Sequence, residues 1–140
     1  YASLIDNQQL ATSIFTNYSE SFDPTLFGFY GITAKNVSAQ QLEEAIYAEI
    51  EKIKKDGVTD RELQKVKNQR FIDFYNQIET INGKSNNIGT YEVFFGDYRK
   101  MFEAPAKFNQ VTLADIQRVA NTYFKKSTRT VGVLQTKTDD

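Results

Sequence analysis

Two hydrophobic rhythms divide the chain. Up to residue 33 the apolar side chains come in short runs, and from residue 37 onward most recur at helical spacing. The stretch Ala11–Glu20, "ATSIFTNYSE", is rich in β-branched and aromatic residues, a strand composition. "SFDPT" follows, a turn signal with Asp23-Pro24 at its centre. "LFGFYGIT", Leu26 to Thr33, is apolar on both faces. Two such runs about a short turn predict an antiparallel hairpin, and the two-sided second run predicts an interior strand. Gly28 and Gly31 mark places where a neighbour packs close to the backbone.

Three helix starts share one device, a valine followed by a hydroxyl residue. Ser38 with Gln41, Thr59 with Glu62 and Thr112 with Asp115 each have the spacing of a capping box. Val37, Val58 and Val111 sit where a staple to Leu42, Leu63 and Ile116 would form. The first helix presents Leu42, Ala45, Ile46, Ile50 and Ile53 on one face and ends at Gly57, a left-handed stop. The second presents Leu63, Val66, Phe74, Ile78 and Ile81, and its pattern loosens at "INGKSNN", so it is expected to end or bend near Gly83. Ile88–Phe102 is expected to be helical, with a break at Ala104-Pro105. Ile116, Val119, Ala120 and Tyr123 are expected to form the buried face of the last helix, and Arg129–Thr136, "RTVGVLQT", is expected to be a strand.

The repeated device is a helix-start signal and not a tandem repeat, because the residues around the three valines differ. The expected order is β-β-α-α-α-α-β. That order implies an α+β fold, a two-layer sandwich with helices on one face of a mainly antiparallel sheet.

Composition narrows the chemistry. The 140 residues fit one domain, and 40% hydrophobic with 25% charged residues is ordinary for a soluble globular protein. A net charge of −1 gives no reason to expect nucleic acid or a charged membrane surface as partner. No apolar run is long enough to span a bilayer. The chain has no cysteine and no histidine, so it offers neither thiolate nor imidazole for nucleophilic catalysis or zinc ligation. No loop has the acid density of a calcium site.

The remaining candidates have plain structural explanations. Glu44 and Glu51 could share a helix face, but acids on such faces usually serve solvation. Arg61, Lys65, Lys67 and Arg70 are interleaved with acids, unlike a nucleic-acid surface. The aromatics of the hairpin lack a basic ribonucleoprotein-type motif and fit a core. Arg70 and Tyr91 are the side chains expected to be buried and polar. Asn17-Tyr18-Ser19 and Asn36-Val37-Ser38 match the glycosylation pattern in form only. No catalytic, cofactor-binding or metal-binding residue is assigned.

"LATSIFTNYSESFDPTLFGFYG" (Leu10–Gly31), "GVTDRELQKVKNQ" (Gly57–Gln69), "NIGTYEVFFGDY" (Asn87–Tyr98) and "VTLADIQRVANTYFKKSTRTVGVLQT" (Val111–Thr136) follow one another along the chain. Together they resemble successive segments of the pitrilysin/insulinase-type zinc metallopeptidases, which include the mitochondrial processing peptidases. The resemblance runs from about Leu4 to Thr136 and is to the second, non-catalytic module, with its N-terminal strand and helix missing before Tyr1. It implies a single partial module over residues 1–140. It also implies a parent peptidase whose zinc is held by a separate His-x-x-Glu-His module, the two modules walling a chamber for peptide substrate. Glu62, Lys65 and Asn68 match the family pattern as helix-surface or packing positions. A substrate-contacting tyrosine often follows the family's Leu-Ala turn; here Thr12 follows Leu10-Ala11, so no substrate-binding pair is carried over.

Two functional expectations follow. One is the C-terminal, non-catalytic module of a bacterial-type zinc protease, without catalysis of its own. Its partners would be the catalytic module of the same protein or a partner subunit. The other is a stand-alone inactive scaffold or peptide-binding module, whose exposed sheet edge would take a peptide or a second copy. The compartment stays open, with a bacterial periplasm or cell envelope compatible.

Overall fold

A computed structural model describes residues 2–19 and 21–135. Their contacts cluster into two units, one formed by Tyr1–Lys55 with Ala120–Asp140 and the other by Asp56–Val119.

The first unit begins with a π-helical turn, Ala2–Asn7, whose Leu4 is buried. Strand β1 (Ala11–Asn17) then pairs antiparallel with β2 (Gly28–Thr33), with Ile14 opposite Gly31 and Phe15 opposite Tyr30. The intervening loop is braced by the Thr25 hydroxyl, which donates to the Ser19 carbonyl at 3.0 Å, and by Ser21 donating to the Asp23 carbonyl. Helix α1 (Ala39–Asp56) lies against one face of the hairpin. A β-carbon at Gly31 would lie 2.9 Å from Leu42 Cδ2, so the missing side chain is what lets the helix seat this close. Leu42 is the most deeply buried residue of α1.

The second unit contains α2 (Asp60–Glu79), α3 (Ile81–Phe95), a 3-10 segment Tyr98–Glu103 and α4 (Ala104–Gln110). Phe74, Met101 and Ala104 are its buried residues, and the Lys67 ammonium ties α2 to α4 by donating to the Asn109 carbonyl at 2.8 Å. Helix α5 (Leu113–Tyr123) begins in this unit and ends in the first.

All three capping boxes form. The Gln41, Glu62 and Asp115 amides donate to the hydroxyls of Ser38, Thr59 and Thr112 at 3.2, 3.3 and 3.2 Å. In return the Ser38, Thr59 and Thr112 amides donate to the side chains of Gln41, Glu62 and Asp115. Gly57 takes the left-handed φ of 75° expected of a helix stop.

The α+β class holds, and the structure departs from the sequence pattern in five places. The second helical break falls at Thr80, not near Gly83. Thr80 is extended (φ −85°, ψ 151°), and its hydroxyl accepts the Gly83 amide at 3.0 Å. That cap starts α3 through the Gly- and Asn-rich stretch despite its poor intrinsic propensity. Secondly, α3 stops at left-handed Gly96 (φ 67°), whose amide donates to the Glu92 carbonyl, so Ile88–Phe102 is not one helix. Thirdly, Pro105 does not break a helix but sits in the first turn of the additional helix α4, where a missing amide removes no helical bond. Lastly, Arg129–Gln135 belongs to no ladder, and the sheet among the described residues is two-stranded; Thr136 lies outside them. A strand needs a neighbour as well as a pattern, which is also why β2, with β1 alone beside it, is not an interior strand.

Gly83 is the tightest glycine. A β-carbon there would fall 1.8 Å from the Gln77 carbonyl oxygen, whereas at Gly89 it would meet open space. Gly83→Ala is expected to destabilise the protein by about 1–3 kcal/mol, and Gly89→Ala to stabilise it by up to about 1 kcal/mol. Chemical denaturation of the two variants checks the contrast.

The charged boxes make the fold sensitive to acid. The Thr112 hydroxyl, followed by Arg118, holds the Asp115 carboxyl down from 3.8 to about 2, and the Thr59 amide and hydroxyl lower Glu62 from 4.5. Both carboxylates are more acidic folded than unfolded. Their contribution is therefore full above about pH 5 and is lost as pH falls towards 2. An NMR titration is expected to show the Thr112 and Thr59 amides shifting in that window while the Ser38 amide, whose partner is the neutral Gln41, stays in place.

Candidate functional site

Several charged side chains of α1 hold local structure. On α1, Glu44 accepts from Gln40 Nε2 at 3.0 Å and Glu51 pairs with Lys54 Nζ at 2.6 Å. The two acids are therefore not brought together as a pair. Glu49 accepts from the Ser3 hydroxyl at 2.8 Å and from Lys52 at 2.7 Å, which anchors the N-terminal turn to α1. The Lys52 bond is the main reason its carboxyl is more acidic than usual, and partial burial works against it.

On α2, Arg61, Lys65 and Ile72 line a shallow open hollow with Gln64, Asn68 and Gln69. Gln64 donates to Asn68 at 2.8 Å and Gln69 to Asp73 at 2.9 Å, so the amide side chains of this face bond along the helix itself. Arg70 is exposed, contrary to the expectation that it is buried. Tyr91 is half-buried and packs on Phe95 with ring centroids 5.1 Å apart. Of the two glycosylation-like sites, Asn17 ends β1 opposite Gly28 and Asn36 is left-handed, while the Ser38 hydroxyl caps α1.

The aromatics of the hairpin form two groups. On the side facing α1, Phe29 and Phe27 contact the Phe124 ring at centroid distances of 5.4 and 5.2 Å, tying the chain after α5 to the hairpin. On the opposite side Phe15 and Tyr30 stack at 5.0 Å, and the Tyr30 ring covers the bare backbone of Gly28. Ile32 extends this exposed, uncharged face.

One contact was not visible in the helical pattern. The Arg129 guanidinium carbon lies 3.7 Å from the centroid of the Tyr47 ring, a cation–π geometry. The Tyr47 hydroxyl donates to Glu43, and partial burial together with that carboxylate raises the phenol above its usual value. Tyr47 falls outside the apolar stripe of α1 and Arg129 is remote in sequence, so no local signal links them.

The resemblance noted in the sequence implies zinc held by a separate module, and the donors of this chain do not fit that metal. There is no histidine or cysteine to serve as ligand. Among the described residues no three Asp or Glu side chains converge on a point that could hold a metal. Among the same residues, no helix is long and apolar enough to cross a membrane.

Residues 1–70 match the family model described as "Peptidase M16 inactive domain". The chain belongs to this family. It is 30% identical over 132 residues to a Helicobacter pylori protein named zinc protease PqqE, with 94% of this chain and 30% of that protein covered. It is 29% identical over 119 residues to a Bacillus subtilis protein named uncharacterized zinc protease YmxG, covering 85% of this chain and 29% of the relative. Its fold superposes on the crystal structure of a protease from Helicobacter pylori with a TM-score of 0.82 at 29% identity, over 91% of this chain and 30% of the other. The M16 chain thus spans about 30% of the length of the curated relatives it matches.

The aromatic tie at Phe124 can be tested directly. Phe124→Ala is expected to cost on the order of 2 kcal/mol, through lost contact with both Phe27 and Phe29. Tyr123→Ala, one residue earlier and largely exposed, is expected to cost less than about 0.5 kcal/mol. Urea denaturation of the two variants provides the measurement.

Proposed function

We propose that residues 1–140 form one non-catalytic module of a zinc metallopeptidase and help to wall the chamber in which peptides are hydrolysed. Hydrolysis belongs to a separate zinc-binding module of the same polypeptide or of a partner subunit. The match to an inactive domain over residues 1–70 carries this reading. The two relatives named zinc proteases, each about three times as long as the aligned region, support it. The donor set is consistent with it, because a domain without imidazole or thiolate contributes shape and contact area more readily than metal chemistry.

The packing fits an architectural role. Several polar side chains of α1 and α2, among them Gln40, Gln64 and Gln69, bond to neighbours on their own helices, and several large apolar side chains, among them Val66, Tyr75, Val93 and Phe102, remain exposed. A domain that docks against another part of a larger protein keeps such surface until the partner covers it.

The test compares three proteins in a fluorogenic peptide assay: the full polypeptide carrying this domain, the same polypeptide lacking it, and the 140-residue chain alone. The full protein is expected to cleave peptide and to stop when a chelator is added. Removal of the domain is expected to lower kcat/KM by about a hundredfold or more, as misplacement of a catalytic framework does. The chain alone is expected to show no cleavage. Chelator-sensitive cleavage by the isolated chain, or undiminished activity after its removal, would overturn the proposal.

A further inference from the structure

We propose that Asn82 is a deamidation site held shut by the turn between α2 and α3, so that its conversion records each opening of that turn. The proposal goes beyond the functional reading above and does not depend on it.

Asn82-Gly83 is the one Asn-Gly step in the sequence. In a mobile chain such a step reacts with itself, because a following glycine adds no side chain to shield the backbone nitrogen. The Gly83 amide nitrogen gives its proton to hydroxide and attacks the Asn82 side-chain carbonyl carbon. The N–Cγ bond forms, the Cγ–Nδ2 bond breaks, and the Asn82 side-chain nitrogen takes a proton from water and leaves as ammonia. Water then opens the five-membered imide. Opening at the side-chain carbonyl leaves aspartate at position 82. Opening at the main-chain carbonyl leaves isoaspartate, which adds a methylene to the backbone. Water is the one co-reactant, and nothing is oxidised or reduced.

The fold cannot remove the step by replacing the glycine. A β-carbon at Gly83 would fall 1.8 Å from the Gln77 carbonyl oxygen and 2.9 Å from the Thr80 hydroxyl oxygen. Instead the structure holds Gly83 on both sides. Its amide donates to the Thr80 hydroxyl at 3.0 Å, and its carbonyl accepts from Asn87 Nδ2 at 2.9 Å. The Lys84 amide donates to the Thr80 carbonyl at 2.9 Å, which fixes the next peptide to the same residue. Asn82 is the second residue of α3, where ψ is helical, about −42°. Closing the ring requires ψ to turn towards the extended range, and that rotation carries the Gly83 amide off Thr80. The Asn82 side chain is itself exposed, so solvent reaches it as soon as the peptide turns.

Opening a turn of this kind costs less than unfolding the whole domain. The two products then differ. Aspartate keeps the chain length and puts a carboxylate in the first turn of α3, where the helix dipole favours it. Isoaspartate displaces the Gly83 amide from the Thr80 hydroxyl and keeps the cap from reforming. A reversible opening is thereby converted into a one-way covalent mark.

Peptide mapping by mass spectrometry tests this on the full polypeptide carrying this domain, incubated at mildly alkaline pH. Asn82 is expected to convert at least about a hundredfold more slowly in the folded protein than in the same protein in urea. Thr80→Ala is expected to raise the folded-state rate about fivefold, and Thr80→Ser, which keeps the hydroxyl, to leave it within about twofold of the parent. Asn17 and Asn109, remote from the turn in sequence, serve as internal references and are expected to convert at the same rate in all three proteins. Should Thr80→Ala unfold the domain and speed every asparagine together, Asn87→Ala is measured instead. That change removes a bond from the Gly83 carbonyl, and conversion of Asn82 at least about twofold faster is expected. A folded-state rate equal to the rate in urea overturns the proposal. So does an Asn82 rate unchanged by the substitution measured, or an increase in Thr80→Ala that Thr80→Ser shares.

Discussion

The first unit depends on the seating of Leu42 against Gly31. An α-helix and a hairpin can share a core only when one surface yields room for the side chains of the other, and here the sheet yields it by omitting a side chain at the centre of β2. The pairing of Ile14 with Gly31 sets that vacancy in register with a large β-branched neighbour, so the helix rests on one strand and is flanked by the other. Everything attached to α1 inherits this placement: the N-terminal turn through Ser3 and Glu49, and the segment after α5 through Tyr47 and Arg129. Phe124 closes the same unit from the far end of the chain by packing against Phe27 and Phe29.

In the second unit, local chemistry at the helix ends carries more of the specification. Thr80 ends one helix and begins the next, accepting the Gly83 amide, and the approach of the Gln77 carbonyl leaves room for nothing larger than hydrogen on Gly83. The turn is thus fixed from both sides, by a hydroxyl that accepts and a carbonyl that excludes. Burial is sparse by comparison, with Phe74, Met101 and Ala104 as the enclosed apolar groups. Caps of this kind fix where helices start at about 1 kcal/mol each, and they do so without the long-range contacts that a deeper core would require.

This division explains which parts of the structure were legible in the sequence. Capping boxes are local, and all three appeared at the residues expected of them. The hairpin was legible because its two runs and its turn lie within one short stretch, and the family resemblance because several motifs occur in order. The break at Thr80 was hidden because a good cap starts a helix in poor helix formers, and Gly83 looked like a terminator when it is a packing requirement. Val66 and Ile81 carry the helical period of a core face yet stand exposed, since periodicity identifies a face without identifying what covers it. The contact of Arg129 with Tyr47 joins distant parts of the chain, and nothing near either residue announces it.

Uncharged strand edges connect this folding logic to function. A domain that remained alone in water would have reason to place lysine, glutamate or proline along β1, β2 and the closing segment, because an open ladder invites aggregation. These three stretches carry no such residue, while the helices carry the charge in abundance. Surface that will be enclosed by another part of a protein is selected for shape and apolar contact, and the chemistry can then reside on the part that does the enclosing.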